Sequence, residues 1–276
     1  MKLELNDERV ERYSRQLILD GVGGKGQRKI FDAKVLVVGA GGLGAPAILY
    51  LAAAGVGTLG IADDDVVELS NLQRQVVHRV ADLGTPKAES AANKVREINP
   101  DVQVRVHNFR VTASNARELF AQYDFVIDGT DNFSSKFLIN DACVLEGVPF
   151  SHAGILRYNG QTLTHVPGSA CYRCVFPREP PRGAIPSCQE AGVLGVVAGI
   201  LGSVQAAEAL KFVLGTGDLL TNRMLVVDVK SSNFRVVRVR PNPTCPVCGK
   251  SPTITELVQP DLETCQVRNE GGGEDP

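Results

Sequence analysis

Two groups of residues in this 276-residue chain have types and spacings that could do chemistry. The first is Gly39, Gly41 and Gly44, with the extra Gly42, in the stretch VLVVGAGGLGAP. A G-x-G-x-x-G between strand and helix permits a tight turn, close approach to a phosphate and helix–strand packing, and the helix N-terminus supplies N–H donors for the anion. Asp63 ends the next apolar run, where a carboxylate can take ribose hydroxyls. Strand, loop, helix and acid in that order predict a nucleotide site. The glycines alone do not separate a dinucleotide from ATP. The second group is Cys171/Cys174 with Cys245/Cys248, two C-x-x-C pairs. They read as a four-thiolate tetrahedral zinc site that clamps the C-terminal strands to the main body, with two redox pairs as the other reading. The long spacer between the pairs costs about 1 kcal/mol more loop closure than a compact finger. Zinc contributes on the order of 10 kcal/mol.

The other half of the nucleotide site comes from IADDDVVELSNLQRQ, GTPK and DGTDN. Asn71, Arg74, Lys87 and Asp131 are its candidates, with Asp65 and Asn132 beside them. Lys87 falls in the first turn of its helix, where a cation opposes the macrodipole and so points to an anion nearby. Asp131 beside phosphates is repulsive unless it holds a divalent cation such as Mg²⁺. The plainer readings are that Arg74 and Lys87 are solvated and that Asp131 caps a helix beginning at Asn132. Cys188 stands alone in the Pro-rich stretch 177–190, next to a helix start that favours thiolate, as a nucleophile or a bystander. Cys143 reads as a core residue.

These groups need elements to position them. Residues 8–30 read as a helix with Val10, Tyr13, Leu17 and Ile18 on one stripe. A strand at 34–38 meets the glycine loop, whose helix stops at Gly55. Strands follow at 58–62, 102–107, 124–127 and 149–152. Between them lie helices from Thr85-Pro86 (N-cap and first turn) to about 98, at 113–122 and at 133–146. That alternation predicts an α/β, Rossmann-like, doubly wound and mainly parallel sheet. Strands at 161–166, 224–229 and 234–239 add an antiparallel C-terminal extension. A long small-residue helix is expected over 190–214. One domain covers 1–266: a nucleotide-binding part at about 31–155, a carrier-binding and zinc part at about 156–255, and a disordered tail at 267–276.

Apolar residues make up 43% of the chain and charged residues 22%, with net charge −2 and no basic block. This argues against nucleic acid as a partner. The N-terminus lacks a signal-peptide core. The longest apolar run, 193–204, is short for a bilayer and broken by glycines. A cytoplasmic location and no membrane association are expected, and cysteines there suit metal or chemistry more than disulfides.

RYSRQLIL, VLVVGAGGLGAP, DDDVVELSNLQRQ, GTPKAESA, DGTDNFSSKFLIN, the two cysteine pairs and PSCQEAGVLG together resemble the MoeB/ThiF/HesA family over about residues 8–255. These are ubiquitin-activating-enzyme-like adenylyltransferases of sulfur-carrier proteins. The resemblance implies MgATP, a structural Zn²⁺, and a small ubiquitin-fold sulfur carrier whose Gly-Gly carboxylate is adenylylated with release of pyrophosphate. It implies that Asp63 binds ribose, that Asn71, Arg74 and Lys87 bind phosphates, and that Asp131 organises Mg²⁺. It further implies that Arg15 enters the neighbouring site of a homodimer. Close relatives often carry Cys where Gly129 stands. Some relatives add a rhodanese domain; with none expected here, the sulfur donor is expected to be separate. Molybdopterin, thiamine, cysteine, thio-tRNA and secondary-metabolite pathways all fit. An NAD-dependent oxidoreductase would leave Arg74, Lys87 and Asp131 without a task. A non-catalytic carrier-binding adaptor would leave the whole nucleotide set without one.

Overall fold

Short apolar runs bounded by turn formers become strands covered on both faces. In the computed structural model, which describes residues 4–181, 184 and 188–258, they assemble one eight-stranded sheet. The helices and strands are α1 (Asp7–Arg12), α2 (Ser14–Leu17), α3 (Gly23–Asp32), β1 (Lys34–Val38), α4 (Gly44–Ala54), β2 (Thr58–Ala62), α5 (Lys87–Ile98), β3 (Gln103–His107), α6 (Ala116–Phe120), β4 (Phe125–Asp128), α7 (Phe133–Glu146), β5 (Phe150–Leu156), β6 (Asn159–His165), α8 (Tyr172–Val175), α9 (Cys188–Ala191), α10 (Gly195–Leu214), β7 (Arg223–Asp228) and β8 (Asn233–Arg238).

The sheet order is β3-β2-β1-β4-β5-β6-β7-β8. Strands β3 to β5 run parallel, and β5 to β8 pair antiparallel. Strand alternation splits the core in two. Val35, Val37, Leu59, Ile61, Phe125 and Ile127 pack beneath α3, α4, α5 and α10. Leu36, Val38, Ala62 and Val126 face α6 and α7. The mixed α/β architecture is therefore the one expected. Strand β5 pairs with β4 on one side and β6 on the other, so the sheet runs unbroken across residue 155.

Three helix expectations need correction. The helix expected over 8–30 is three pieces. Tyr13 leaves helical geometry at φ −99° and ψ 10°, dives into the core, and accepts a hydrogen bond from Asn99 Nδ2 at 2.8 Å. Gly21 and Gly23 then turn the chain at φ 80° and 53°, conformations that cost glycine little. Of the expected stripe Tyr13 is fully buried, while Val10 and Ile18 are bare. Helix α5 begins at Lys87, with Pro86 rather than Thr85 as its N-cap, because Pro86 sits at ψ 132°. The helix expected from 190 is interrupted by Gly192 at φ 77°. There Arg157 N–H donates to Gly192 O at 3.0 Å, and Leu194 N–H donates to Arg157 O at 3.0 Å.

From Gly195 onward the apolar run at 193–204 belongs to α10, a 20-residue helix long and apolar enough to cross a membrane by length and composition. Here Val197, Leu201, Gly202 and Ala206 are buried against the sheet and α4. A Cβ on Gly202 would stand 2.1 Å from Leu43 O, so its glycine serves close helix packing.

Candidate active site

The strand order reverses between β1 and β4, and the crevice beyond their carboxyl ends is where ligands of open α/β sheets bind. A cavity of about 300 Å³ opens there. Its wall brings together Gly39, Gly41, Gly42, Asp63, Asp65, Arg74, Lys87, Asp131 and Asn132.

Each glycine of the loop has its own reason. Gly39 holds φ 90°. A Cβ on Gly44 would stand 1.8 Å from Gly39 O, so Gly44 does not line the cavity but lets α4 press on the loop. A Cβ on Gly41 would meet only Gln75 Nε2, at 3.7 Å. Protein packing therefore does not require glycine at 41, whereas a ligand brought close to the backbone would. His78 braces the loop, Nε2 lying 3.0 Å from Ala40 O and Nδ1 2.8 Å from Ser90 Oγ.

Asp63 accepts from Ala40 N–H at 2.7 Å and from Asp65 N–H at 2.9 Å. Burial pushes its carboxyl up, against those two donors and the Lys87 charge. A carboxylate has lone pairs beyond these two bonds for ribose hydroxyls. Lys87 is 8% exposed and its Nζ donates to Asp65 Oδ2 at 2.7 Å. Because Asp65 is 67% exposed, a phosphate can replace it as partner at little cost. Arg74 Nη1 donates to Ser70 O at 3.1 Å.

Asn71 lies behind the wall. Its Oδ1 accepts from Glu68 N–H at 3.1 Å, and its carbonyl accepts from Arg74 and Gln75 N–H, so it shapes the turn that presents Arg74. Asp131 is exposed at the cavity mouth and does not cap α7. Asn132 does, accepting from Ser135 N–H at 2.9 Å. Arg15 is exposed, pairs with neither Glu11 nor Asp20 among the described residues, and does not line its own chain's cavity.

The structure adds residues that sequence reasoning missed. Gln75, Phe109, Arg110, Thr130 and Ile155 also line the cavity. Beneath it Asp128 is fully buried, 2.9 Å from His152 Nδ1 and 3.3 Å from Lys136 Nζ. It accepts from Thr130 Oγ1 at 2.6 Å and so braces the Gly129–Thr130–Asp131 turn. Burial pushes Asp128 up, but the Lys136 charge and the His152 hydrogen bond outweigh it and hold the carboxyl well below the usual range. Burial, then Lys136, lowers His152 to about 4. The position of Arg110 just past a strand end was the available signal; nothing local marked Asp128, Lys136 or His152 as partners.

The four cysteines form one cluster. Sγ separations are 3.9 Å for Cys171–Cys174, 3.6 Å for Cys171–Cys245, 3.4 Å for Cys174–Cys248 and 3.4 Å for Cys171–Cys248. Contacts between pairs are as close as the one within a pair, so the cysteines are not two separate redox couples. All are far beyond a disulfide bond of about 2.05 Å. A tetrahedral site with metal–sulfur bonds of about 2.3 Å has edges near 3.8 Å. A hydrogen bond from Cys171 pulls Cys174 down to about 4, while the same bond and burial push Cys171 well up. Arg173 ties this knuckle to α7 through a two-pronged bond to Asp141, at 2.6 and 2.7 Å. Cys143 is buried in the core as expected. Cys188 opens the four-residue α9. Its side chain, residues 182–183 and 185–187 of the expected loop, and the expected tail at 267–276 lie outside the described residues.

The model of the ThiF family matches residues 13–247. The chain is 52% identical to the SAMP-activating enzyme E1 of Haloferax volcanii, over 91% of this chain and 93% of that one. It is 48% identical to the sulfur carrier protein adenylyltransferase of Thermus thermophilus, over 91% and 95%. It is also 48% identical to the probable adenylyltransferase/sulfurtransferase MoeZ of Mycobacterium tuberculosis, over 92% of this chain but 64% of that one. Among solved structures, E. coli MccB shares the fold, with TM-score 0.78 at 22% identity over 90% of this chain and 75% of that one.

Proposed function

The chain belongs to the ThiF family, and from that premise we propose that its crevice adenylylates the C-terminal Gly-Gly carboxylate of a small ubiquitin-fold sulfur-carrier protein. ATP is the second substrate and pyrophosphate the product. The observation that carries this reading is the meeting of Asp63, Arg74, Lys87 and Asp131 around a loop whose Gly41 protein packing does not require. A carboxylate oxygen of the carrier attacks the α-phosphorus, and the bond to the β-phosphate oxygen breaks. Anion approaches anion, so the site must neutralise charge as it develops. Asp63 orients the ribose, and Phe109, Val111, Leu138 and Ile139 offer the base an apolar wall. Lys87 exchanges Asp65 for phosphate, and Arg74, whose stem lies against Gly42, supplies a second cation from the same β2–α5 connection. Asp131, exposed on the cavity wall, would hold Mg²⁺, which would supply positive charge against the phosphates. A nicotinamide would give this cation–carboxylate set no task, so we expect no hydride transfer.

We further propose a homodimer in which Arg15 completes the partner's site. Ile18 at 76%, Leu69 at 71% and Val80 at 69% exposure leave apolar surface that a two-fold partner would cover. The cysteine cluster fits a structural Zn²⁺: four thiolates fill a tetrahedron and leave no position for water. Reduced thiols there suit a cytoplasmic location. Cys188 is assigned to carrier transfer after adenylation.

Carrier-dependent exchange of labelled pyrophosphate into ATP tests the reading. Asp131→Asn and Lys87→Ala should each lower exchange at least about 100-fold, the scale of losing one transition-state stabiliser. Cys188→Ala should retain it. Undiminished exchange in both Asp131→Asn and Lys87→Ala refutes the assignment.

A further inference from the structure

Gln75 is 4% exposed, yet among the described residues its side-chain amide makes no hydrogen bond. Its Oε1 is fully buried and unbonded. Its Nε2 borders the cavity 3.7 Å from where a Cβ on Gly41 would stand. Whichever way the amide is turned, one polar atom lacks a bond, and buried polar groups without partners are rare enough to need a reason. The backbone around it is satisfied: Gln75 N–H donates to Asn71 O at 2.9 Å, and Gln75 O accepts from His78 N–H at 3.0 Å. The turn is thus built to hold this side chain where it is, with its hydrogen-bonding capacity unused.

The neighbours say what it is held for. Asp63, the ribose carboxylate, grips Ala40 N–H at 2.7 Å, so the ribose and Gly41 are adjacent. The first group beyond the ribose is the α-phosphate. A phosphate only accepts hydrogen bonds, and the cavity-side Nε2 only donates. We propose that Gln75 is a substrate-contacting residue whose side-chain amide donates to an α-phosphate oxygen of the bound nucleotide. This rests on the adenylylation reading above. It assigns that site a neutral donor at the phosphorus under attack, where Arg74 and Lys87 supply charge. A neutral donor suits the step, because the α-phosphate must stay anchored while the pyrophosphate and its charge depart.

The test compares three probes, ATP, AMP and adenosine, by calorimetry on the full chain and on Gln75→Met and Gln75→Glu. AMP carries the α-phosphate alone and adenosine carries none. Gln75→Met keeps the volume and removes the donor, and should weaken ATP and AMP about tenfold, the scale of one hydrogen bond to a charged group. Gln75→Glu sets a carboxylate against the phosphate and should weaken both at least about 30-fold. Adenosine should change less than about twofold in either variant. AMP affinity unchanged in both variants would show that a water or nothing at all occupies the amide, and would overturn the proposal. Equal losses for adenosine and AMP would reduce Gln75 to a structural role and overturn it too. A parent protein that binds AMP but shows no carrier-dependent exchange would sink the adenylylation reading while the Gln75 contact stands or falls on the binding data.

Discussion

Gly41 and Gly44 lie three residues apart in one motif, and the structure gives them opposite sensitivities. A methyl group at 44 would sit 1.8 Å from Gly39 O, well inside the 3.0 Å that real Cβ contacts essentially never breach. Gly39 cannot yield easily, since its own Cβ position already lies 2.9 Å from Gly129 O on the adjoining strand end. Helix α4 or the loop must therefore shift by about an ångström. Such overpacking costs about 1–3 kcal/mol or more, set against roughly 1 kcal/mol gained by replacing glycine in a helix. Because the 1.8 Å approach puts the cost at the upper end of that range, we expect for Gly44→Ala a net loss of about 1–2 kcal/mol, hence a melting temperature lower by roughly 2–8 °C at this chain length. At 41 a methyl group meets only Gln75 Nε2 at 3.7 Å, and Gly41 is not at positive φ. Gly41→Ala should keep or raise the melting temperature, by up to about 1 kcal/mol of unfolded-state entropy. It should lose the stabilisation that saturating ATP confers on the parent. Thermal unfolding with and without ATP reads both effects. A Gly41→Ala protein stabilised by ATP as much as the parent would refute the phosphate-approach argument. An unperturbed Gly44→Ala would refute the packing one.

Metal analysis of freshly purified protein should find one zinc per chain, and chelation or Cys245→Ser should lower the melting temperature; zinc-free protein of full stability would reject the structural-metal assignment. Arg15→Ala and Asp131→Asn chains should each be nearly inactive alone. Random reassortment should restore roughly a quarter of parental activity, because half the dimers are mixed and each holds one intact site; exchange of subunits without recovery would place Arg15 outside the partner's site. Burial, then Lys136, keeps His152 at about 4 against an ordinary 6.5. The unfolded imidazole therefore takes up a proton first on acidification. Its stabilising share is complete above about 6.5 and is lost as pH falls toward about 4. His78, His107 and His165 are also lowered by burial, so His152→Gln should flatten the melting-temperature curve over that range in part; an unchanged slope would contradict the assignment.

Local signals carried far in this chain. The α7 bounds at 133 and 146 and the stop of α4 at Gly55 follow from turn-forming residues and apolar period, since caps and left-handed glycines act within a few residues. The glycine loop and its acid were legible for the same reason: backbone approach and a strand-end carboxylate are written as spacing. The break at Tyr13 was not, because its cause is Asn99, far along the chain. The motif's separate tasks for its glycines, phosphate approach and helix packing, also hold, since Gly41 faces the cavity and Gly44 a carbonyl.

The sequence by itself therefore determined the alternating strands and helices, the strand-end placement of Asp63 and Asp131, and the four thiols available to a metal. Each is a property of residue type and period. Only the tertiary structure decided that the cysteine pairs close into one cluster and that Lys87 meets Asp65. Only it set Asp128 against His152 and Lys136, and left the buried Gln75 Oε1 without a partner among the described residues. Those are relations between separate strands, helices and turns, fixed by the sheet order that brings their ends together, and one-dimensional spacing does not encode them.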